Sequence, residues 1–350
     1  MSRPWYCTIE DIREALDIQE TARADRKVRQ KIAAACGSVD KLCNRVFYPT
    51  SGTMYADWPS SMGGRRSWRV SFEDEGYDVI SLSAIVSGGQ SISTSDVLLL
   101  PQDGPPYTSM ELDLSSGAAF SVDGTSQRSL ALTGVSGYRL DEDDAGTITA
   151  DVTTSSATTI SVSDGSTIGV GSILRIDSER MIVTRRSWVS SGQTLQAALS
   201  ASDSAVGVSV TSGAAFAVGE LLLVDAERMR VVDIAGNTLV VQRAQDGSPL
   251  ATHAGSTIYL SRSLTVERGA LGTTAATHTS GATVELFVPP PLVTELSIAE
   301  ATVGILQAGA GYARTIGSGE NAREARGAGL ADLRKRVRAA HGRKVRTYAV

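Results

Sequence analysis

Hydrophobic residues near the start of the chain recur at helical spacing. Thr8 and Asp11 are placed as the two partners of a capping box, in which a hydroxyl accepts a hydrogen bond from an early backbone amide. An apolar stripe follows at intervals of three and four residues: Ile9, Ile12 and Leu16. A second, longer stripe has the same spacing: Val28, Ile32, Ala35, Val39, Leu42 and Val46. This spacing predicts a pair of helices over residues 1–47.

After Pro49 the chain changes to alternating apolar and polar residues, which is the strand period. The alternation is clear around Val70 and returns at 79–86, 97–100 and 110–114, with glycine- or proline-containing turns between these runs. Short runs joined by tight turns are typical of antiparallel sheets. We therefore predict a small antiparallel β-domain over residues 48–150.

The next region contains an internal repeat. Residues 171–181 read GSILRIDSERM, and residues 219–229 read GELLLVDAERM, 48 positions later. Residues 192–195 (GQTL) and 236–239 (GNTL) extend the match at an offset of 44, which predicts a longer loop in the first copy. Repeats of this length indicate that one supersecondary unit occurs more than once.

A half-repeat follows, because Arg243 and His253 are spaced like Arg268 and His278. The units are rich in β-branched residues and poor in helix formers, which favours strands joined by glycine turns. We predict an all-β repeat insertion over residues 151–288.

Helical spacing returns at the end of the chain. Three consecutive prolines at 289–291 end the strand pattern, because proline cannot donate to a β-ladder. An apolar stripe with helical spacing follows them: Leu292, Leu296, Ala299, Val303 and Leu306. A further helix is predicted over about 318–341, with a strongly basic end. We assign residues 289–350 to C-terminal helices and a basic arm.

Charge is distributed unevenly along the chain. The net charge of −5 divides into +2 for residues 1–47, −13 for residues 48–319 and +6 for residues 320–350. Phosphate binding requires clustered lysine and arginine, so the acidic body argues against a nucleic-acid interface there. Only the basic tail is a candidate contact for DNA, a membrane or an acidic protein surface.

Candidate chemistry is sparse. His253 and His278 hold the same place in a repeated unit, which favours a structural role over catalysis. The Asp-x-Glu pairs at 177–179 and 225–227 could mimic the carboxylate pair of a glycosidase, but carboxylates at a hairpin turn are usually solvated. We expect no enzyme activity, no catalytic residue, no cofactor and no metal site.

Three cysteines, Cys7, Cys36 and Cys43, are too few and too clustered for a disulfide framework, so reduced thiols are expected. No apolar run approaches the ~18 to 20 residues that cross a bilayer. The N-terminus also lacks a signal-peptide core. We expect synthesis in a cytoplasm and no membrane partner.

The order of these elements resembles the tailed-phage head-to-tail adaptors, also called head-tail connectors, and in particular those of actinobacterial phages. The resemblance covers about residues 5–120 and 289–346, whereas the repeat region departs from compact members of the family. Its motifs are structural and moderately specific: 8–16 (TIEDIREAL), 43–49 (CNRVFYP), 55–59 (YADWP), 104–107 (GPPY) before 111–112 (EL), 311–314 (GYAR) and 329–333 (GLADL).

The resemblance implies an α+β fold class, in which N- and C-terminal helices form a helical adaptor core that carries a small antiparallel β-domain and an inserted all-β repeat region. It also implies a virion protein of the phage neck, assembled in the host cytoplasm. The expected partners are sibling subunits in a homo-oligomeric ring, usually a dodecamer, the portal protein, and a stopper or tail-completion protein. Packaged DNA would pass through the channel without sequence-specific contact.

The resemblance also suggests two sets of contact residues. The first would pack ring neighbours: Val28, Ile32, Val39 and Leu42. The second would form a portal-contact arm: Arg334, Lys335, Arg336, Arg338, Arg343, Lys344 and Arg346. Two alternative functions stay open. The first is a carbohydrate-binding or host-contact tail protein, and the second is a depolymerase. Sugar sites usually present aromatic platforms, and the repeats offer few aromatic residues, among them Trp188, Phe216 and Tyr259, which weakens the first of them.

Overall fold

A computed structural model describes residues 3–16, 22–59, 67–309, 315–316, 323–324 and 328–343. Within these ranges four helices form: α1 (Ile9–Leu16), α2 (Ala22–Cys43), α3 (Pro291–Gly309) and α4 (Ala328–His341). The capping box is present at the start of α1. The Thr8 hydroxyl accepts from the Asp11 amide at 3.1 Å, and the Asp11 carboxylate accepts from the Thr8 amide at 2.7 Å.

The predicted fold class is wrong, because the chain is mostly β. The apolar faces of the helices do pack into one core with the segment around Tyr6 and Phe47. These helices are nevertheless a minority beside the antiparallel sheets of the described residues. Long helical stripes are conspicuous in a sequence, whereas the many short strands between glycine turns contribute more of the architecture.

The first β-domain is a sandwich of two antiparallel sheets around a shared core. One sheet has the order β1 (Thr50–Ala56), β7 (Leu130–Ser136), β3 (Val79–Ser87) and β4 (Gln90–Ile92). The other has the order β2 (Arg69–Ser71), β6 (Ser109–Leu112) and β5 (Val97–Leu100). Met110 from the small sheet and Leu132 from the large one are buried between them. The strands predicted near 79–86, 97–100 and 110–114 are therefore present.

A larger antiparallel sheet contains the repeat region. Its strand order is β12 (Gly207–Ser209), β15 (Thr238–Gln242), β14 (Glu227–Ala235), β13 (Leu221–Val224), β16 (Thr257–Glu267), β11 (Glu179–Thr194), β10 (Ile173–Ile176), β17 (Thr283–Phe287) and β8 (Glu142–Thr147), with β9 (Thr159–Ser161) also paired to β16. Strand β8 belongs to this sheet, although the prediction from the sequence assigns its residues to the first β-domain. A separate two-stranded pair is formed by β18 (Thr315–Ile316) and β19 (Arg323–Glu324).

The two repeat copies are nested rather than consecutive. Each copy contains a hairpin across the Asp-x-Glu turn, β10–β11 in one copy and β13–β14 in the other, and each then pairs its second strand with a third. In the second copy that third strand, β15, follows after the two-residue turn Gly236-Asn237. In the first copy the third strand is β16, and the whole second copy lies between β11 and β16. We call residues 195–260 the inner unit, and residues 148–194 with 261–288 the outer unit.

This nesting explains the half-repeat seen in the sequence. Arg268 and His278 complete the outer unit after the inner unit has been inserted, and so they follow Arg243 and His253 along the chain. The match of 192–195 with 236–239 does not mark equivalent positions. Residues 236–239 turn into the returning strand β15, whereas residues 192–195 end β11 and lead into the inner unit.

Backbone hydrogen bonds close each unit into a small barrel. In the outer unit Ile148 donates to Ala282 at 3.0 Å and Thr149 donates to Ser161 at 2.8 Å. In the inner unit Leu195 donates to Ser256 at 3.0 Å and Gln196 donates to Ser209 at 2.9 Å. Each barrel encloses its own buried apolar core. The two barrels share the long strands β11 and β16, so neither has a free edge where they meet.

Because the inner unit has its own core and a closed hydrogen-bond ladder, we expect it to be removable. Replacing residues 191–258 by Gly-Asn would join Ser190 to Tyr259, which already face each other in the β11–β16 register, through the turn that β14 and β15 use. The shortened protein should show strand-type circular dichroism and one cooperative thermal transition. A loss of near-ultraviolet signal with retained far-ultraviolet signal would contradict the nesting, since it would mean that the outer core cannot form alone.

Candidate functional site

Each barrel buries the glutamate of its Asp-x-Glu turn. The Asp-x-Glu turns place Asp177 and Asp225 at a φ of 53° at the hairpin tips, with their side chains largely exposed. The next strand turns the glutamates inward, so that Glu179 and Glu227 are fully buried. A buried carboxylate is tolerated only where donors replace its lost hydration.

In the outer unit, Glu179 accepts five hydrogen bonds. Arg268 binds it in a bidentate manner, with Nε and one Nη each 2.7 Å from a carboxylate oxygen. The Gly269 and Ala276 amides donate at 2.8 and 2.9 Å, and His278 Nε2 lies 2.9 Å from Oε2. We call this arrangement the outer network. It satisfies every acceptor site of the carboxylate.

The inner network repeats the outer one residue for residue. Glu227 is held by Arg243 Nε and Nη2 at 2.6 and 2.7 Å, and by the Ala244 and Ala251 amides at 3.0 Å each. His253 Nε2 lies 2.9 Å from Glu227 Oε2. Each arginine also donates to backbone carbonyls elsewhere in its barrel. Arg268 donates to Ala157, which precedes β9, and Arg243 donates to Ser200, which precedes β12.

Both histidines bridge two carboxylates. Nδ1 of His278 is 2.8 Å from Asp177, and Nδ1 of His253 is 2.7 Å from Asp225. With Nε2 also against a glutamate, both nitrogens face acceptors, and both can donate only when the ring is protonated. Neither ring nitrogen is left to bind a metal. Among the described residues, no group of three metal-ligating side chains is arranged to hold an ion.

The electrostatics of the networks oppose acid–base catalysis. Burial tends to raise the pKa of Glu179, but the hydrogen bonds from Arg268, Ala276, Gly269 and His278 outweigh it and lower the pKa to about 2. The equivalent donors lower the pKa of Glu227 to about 2. A general acid must hold a proton near neutral pH, and a nucleophile must be exposed to substrate. These glutamates do neither, so their geometry is that of structural anchors.

The residues predicted to pack ring neighbours lie inside the helical core. Val28, Ile32 and Val39 are buried, and Leu42 is half-buried against the same cluster, which also contains Val293 and other residues of α3. These side chains are therefore covered by the chain itself. An amphipathic stripe indicates that a helix face is buried, but it does not indicate which chain buries it.

The predicted portal-contact residues divide into three groups. On α4, three exposed cations already have acidic partners in the same chain: Arg334 with Glu300 at 2.8 Å, Lys335 with Asp332 at 3.5 Å and Arg336 with Glu295 at 3.9 Å. Arg338 is exposed on the same helix. Lys344 and Arg346, like the 311–314 motif, lie outside the described residues.

Arg343 forms the third group and lies against the first β-domain. Its guanidinium is 2.8 Å from the buried carboxylate of Asp78, which Arg45 also approaches at 3.3 Å, and its amide donates to the Cys43 carbonyl at 2.8 Å. The three side chains border a cavity of 520 Å³ between the helical core and the β-domain. Arg343 is thus an anchor for the end of α4 and not part of a free arm.

His341 strengthens the same anchor. Its ring packs edge-on against Phe47 and Tyr138, with Nδ1 3.2 Å from the Tyr138 hydroxyl. Burial, together with the nearby Arg45 and Arg139, lowers the pKa of His341. This shift favours the neutral ring, which packs between the two aromatic side chains. The sequence gives no signal for this contact, since its partners are far apart along the chain.

Three further observations complete the description. Cys7, Cys36 and Cys43 are buried free thiols that form no disulfide. No helix in the described ranges is both long and apolar enough to span a bilayer. The chain has no significant match to any protein-family model, curated protein or solved structure.

Removing either buried glutamate should destabilise the fold strongly. Glu227→Ala would leave Arg243, His253 and two amides without their acceptor, and breaking a buried pair in this way costs about 3 to 5 kcal/mol. The matched control is Asp225→Asn, whose side chain is more than half exposed and which should cost below about 1 kcal/mol. Urea unfolding of both variants measures the difference. Equal losses of unfolding free energy in the two variants would show that the hydrogen bonds to Glu227 are not the main contribution to stability.

The lowered pKa of Glu179 and Glu227 predicts that the protein becomes less stable as the pH falls. Their pKa is about 2 in the folded chain and about 4.3 in an unfolded one. Their stabilisation is therefore complete above pH 4.3 and is lost as pH falls towards 2. The urea midpoint should fall steeply across this range. A double variant, Glu179→Gln with Glu227→Gln, should start from a lower midpoint and show a shallower fall; an unchanged slope would contradict the assignment.

Proposed function

We propose that this protein is a structural component of a phage neck, a head-to-tail adaptor that forms a ring between the portal and the stopper or tail proteins. One observation carries the proposal. The N- and C-terminal flanks that resemble adaptors are far apart in sequence, yet α2, α3 and α4 pack into one core. The nested barrels are attached to that core as an addition, which suits a family body with a large insertion.

The distribution of charge supports a role in assembly. The central body is strongly acidic, and a lumen of that sign would let DNA pass without holding it. The outward face of α4 is cationic but largely compensated by Glu295, Glu300 and Asp332. Such a surface suits an acidic protein partner, such as a portal, better than tight binding to nucleic acid.

The geometry offers less support for a sugar-binding tail protein. Phe216 is buried in the core of the inner barrel, and the Trp188 ring is stacked by the Arg228 guanidinium at 5.5 Å. Phe287, at the end of β17, is also buried, and of the four aromatic residues of the repeats only Tyr259 is among the exposed large hydrophobic residues. A single ring is a weak platform for a carbohydrate, so we do not favour this function.

Reversing charge on α4 tests the adaptor proposal without damaging the fold. A triple variant, Lys335→Glu, Arg336→Glu and Arg338→Glu, changes exposed side chains only. Removing the whole C-terminal segment would be a poor test, since it would take Leu333, Val337 and the Arg343 anchor out of the core. The assay is co-migration of the purified chain with the portal protein of the same particle.

We expect the wild type to co-migrate and the triple variant to bind roughly tenfold more weakly or worse, because each exposed ion pair contributes about 0.2 to 1 kcal/mol. Arg128→Glu, at an exposed position of the β-domain, is the matched control and should bind like the wild type. Unchanged binding of the triple variant would exclude α4 as the contact. A wild type that fails to join the portal would overturn the adaptor proposal itself.

A further inference from the structure

The two barrels present equivalent outer faces. Gly171 and Gly219 both adopt positive φ, at 107° and 91°, and donate to Val183 and Val231 at 2.8 Å each. In both barrels the ladder then shifts register by a β-bulge one residue later, at Thr184 and at Val232. The backbone at Val170 and Thr184 of the outer unit therefore has the same shape as the backbone at Val218 and Val232 of the inner unit.

The outer face is covered by the start of the chain. Val170 accepts from the Ile9 amide at 3.1 Å and donates to Glu10 Oε2 at 2.7 Å, which leaves Val170 buried. The Trp5 ring lies on Gly171, where a Cβ would come within 2.4 Å of it. Arg29 of α2 donates to the bulge carbonyl of Thr184 at 2.8 Å. In the outer unit this backbone shape is thus a seat for helical residues.

The inner face is exposed although it is more apolar. Val218 retains 55% of its accessible surface and Val232 retains 48%, whereas Val170 retains 6%. Within the described ranges, the backbone of Val218 makes none of the hydrogen bonds that Val170 makes. The two valines present exposed apolar surface on the same backbone shape that the outer unit covers with helical residues.

The charges beside the two bulges differ and restrict the partner. In the outer unit, Thr184 is followed by Arg185 and Arg186, and Arg186 approaches Glu10 at 3.8 Å. In the inner unit, Val232 is followed by Asp233 and Ile234. An exposed carboxylate replaces two arginines, so the inner seat fits a helix that carries cations instead of an acid.

The outward face of α2 has this composition. Arg26, Lys27, Gln30 and Ala34 are exposed, and their spacing places them together on the side of the helix away from the core. Unlike the cations of α4, Arg26 and Lys27 form no ion pair within the described ranges. Ala34 gives the face a flat position where valine side chains can pack.

We propose that Val218, Val232 and Asp233 of the inner unit form a docking seat for the outward face of α2 on a second copy of this chain. Asp233 pairs with Arg26 or Lys27 of that copy, and the valines pack beside its Ala34. Two different surfaces meet, so the contact runs head to tail, and such contacts close into rings when their rotation permits. This inference rests on the proposed ring and names the surfaces that build it.

Cysteine cross-linking tests the contact directly. Full-length protein with both Ala34→Cys and Val232→Cys, under mild oxidation, should give a series of dimers, trimers and higher species on a non-reducing gel, because each copy offers both partners. A variant with only one of the two introduced cysteines should stop at dimers, because the native Cys7, Cys36 and Cys43 are buried. The matched control pairs Ala34→Cys with Val122→Cys, an exposed valine of the β-domain, and should give no more than its single variants do.

A charge exchange gives a second, independent readout. Asp233→Lys in the double-cysteine background should lower the yield of higher species about two- to fivefold, the effect of losing one exposed ion pair. Adding Lys27→Glu and Arg26→Glu should restore the yield. A yield no higher than that of the control pair, or no rescue by the exchange, would overturn the docking seat.

The ring proposal can be scored separately. Electron microscopy of the wild type bound to its portal shows whether a ring forms at all. Rings without the cross-linked series would reject this seat and keep the adaptor function. A cross-linked series without rings would support the seat as a contact between copies and reject the neck assignment.

Discussion

Burying an ionised carboxylate inside each barrel is the constraint on which the repeat region depends. The Glu179 and Glu227 side chains lose their hydration, and the fold must return five donors to each. Those donors come from an arginine at the end of a strand, a histidine ten residues later, and amides between them. The network therefore fixes where the third strand ends and how the following loop wraps back onto the hairpin.

The sequence predicts the local elements better than the way they are combined. The Thr8–Asp11 capping box, the helical stripes and the Asp-x-Glu repeat are local patterns, and the structure contains each of them. The nesting could not be read in the same way, because Arg268 and His278 meet Glu179 only across the whole inner unit. The fold class was wrong for a related reason: hydrophobic periodicity identifies helices and strands but not which of them dominate the assembled chain.

The candidate contact residues show the same limit. Periodicity marks Val28, Ile32 and Val39 as buried, but it cannot separate burial by α3 from burial by a neighbour. Basic composition marks the end of the chain, yet Arg343 is placed by Asp78, which belongs to a different domain. The equivalence of Val170 with Val218 follows from the repeat offset alone. The sequence does not show which valine is covered. Val170 is buried and Val218 is exposed because of where the N-terminal helices lie.

The sharing of β11 and β16 by both barrels has a mechanical consequence. Domains joined by a single linker can rotate about it, whereas here two strands that pair with each other, with register shifts at Ser187/Val189 and Ser190/Thr194, run from one barrel into the other. The inner barrel should move as a stiff extension of the outer one. Wherever the helical core is fixed in an assembly, the inner barrel is therefore held at a set distance and angle from that core.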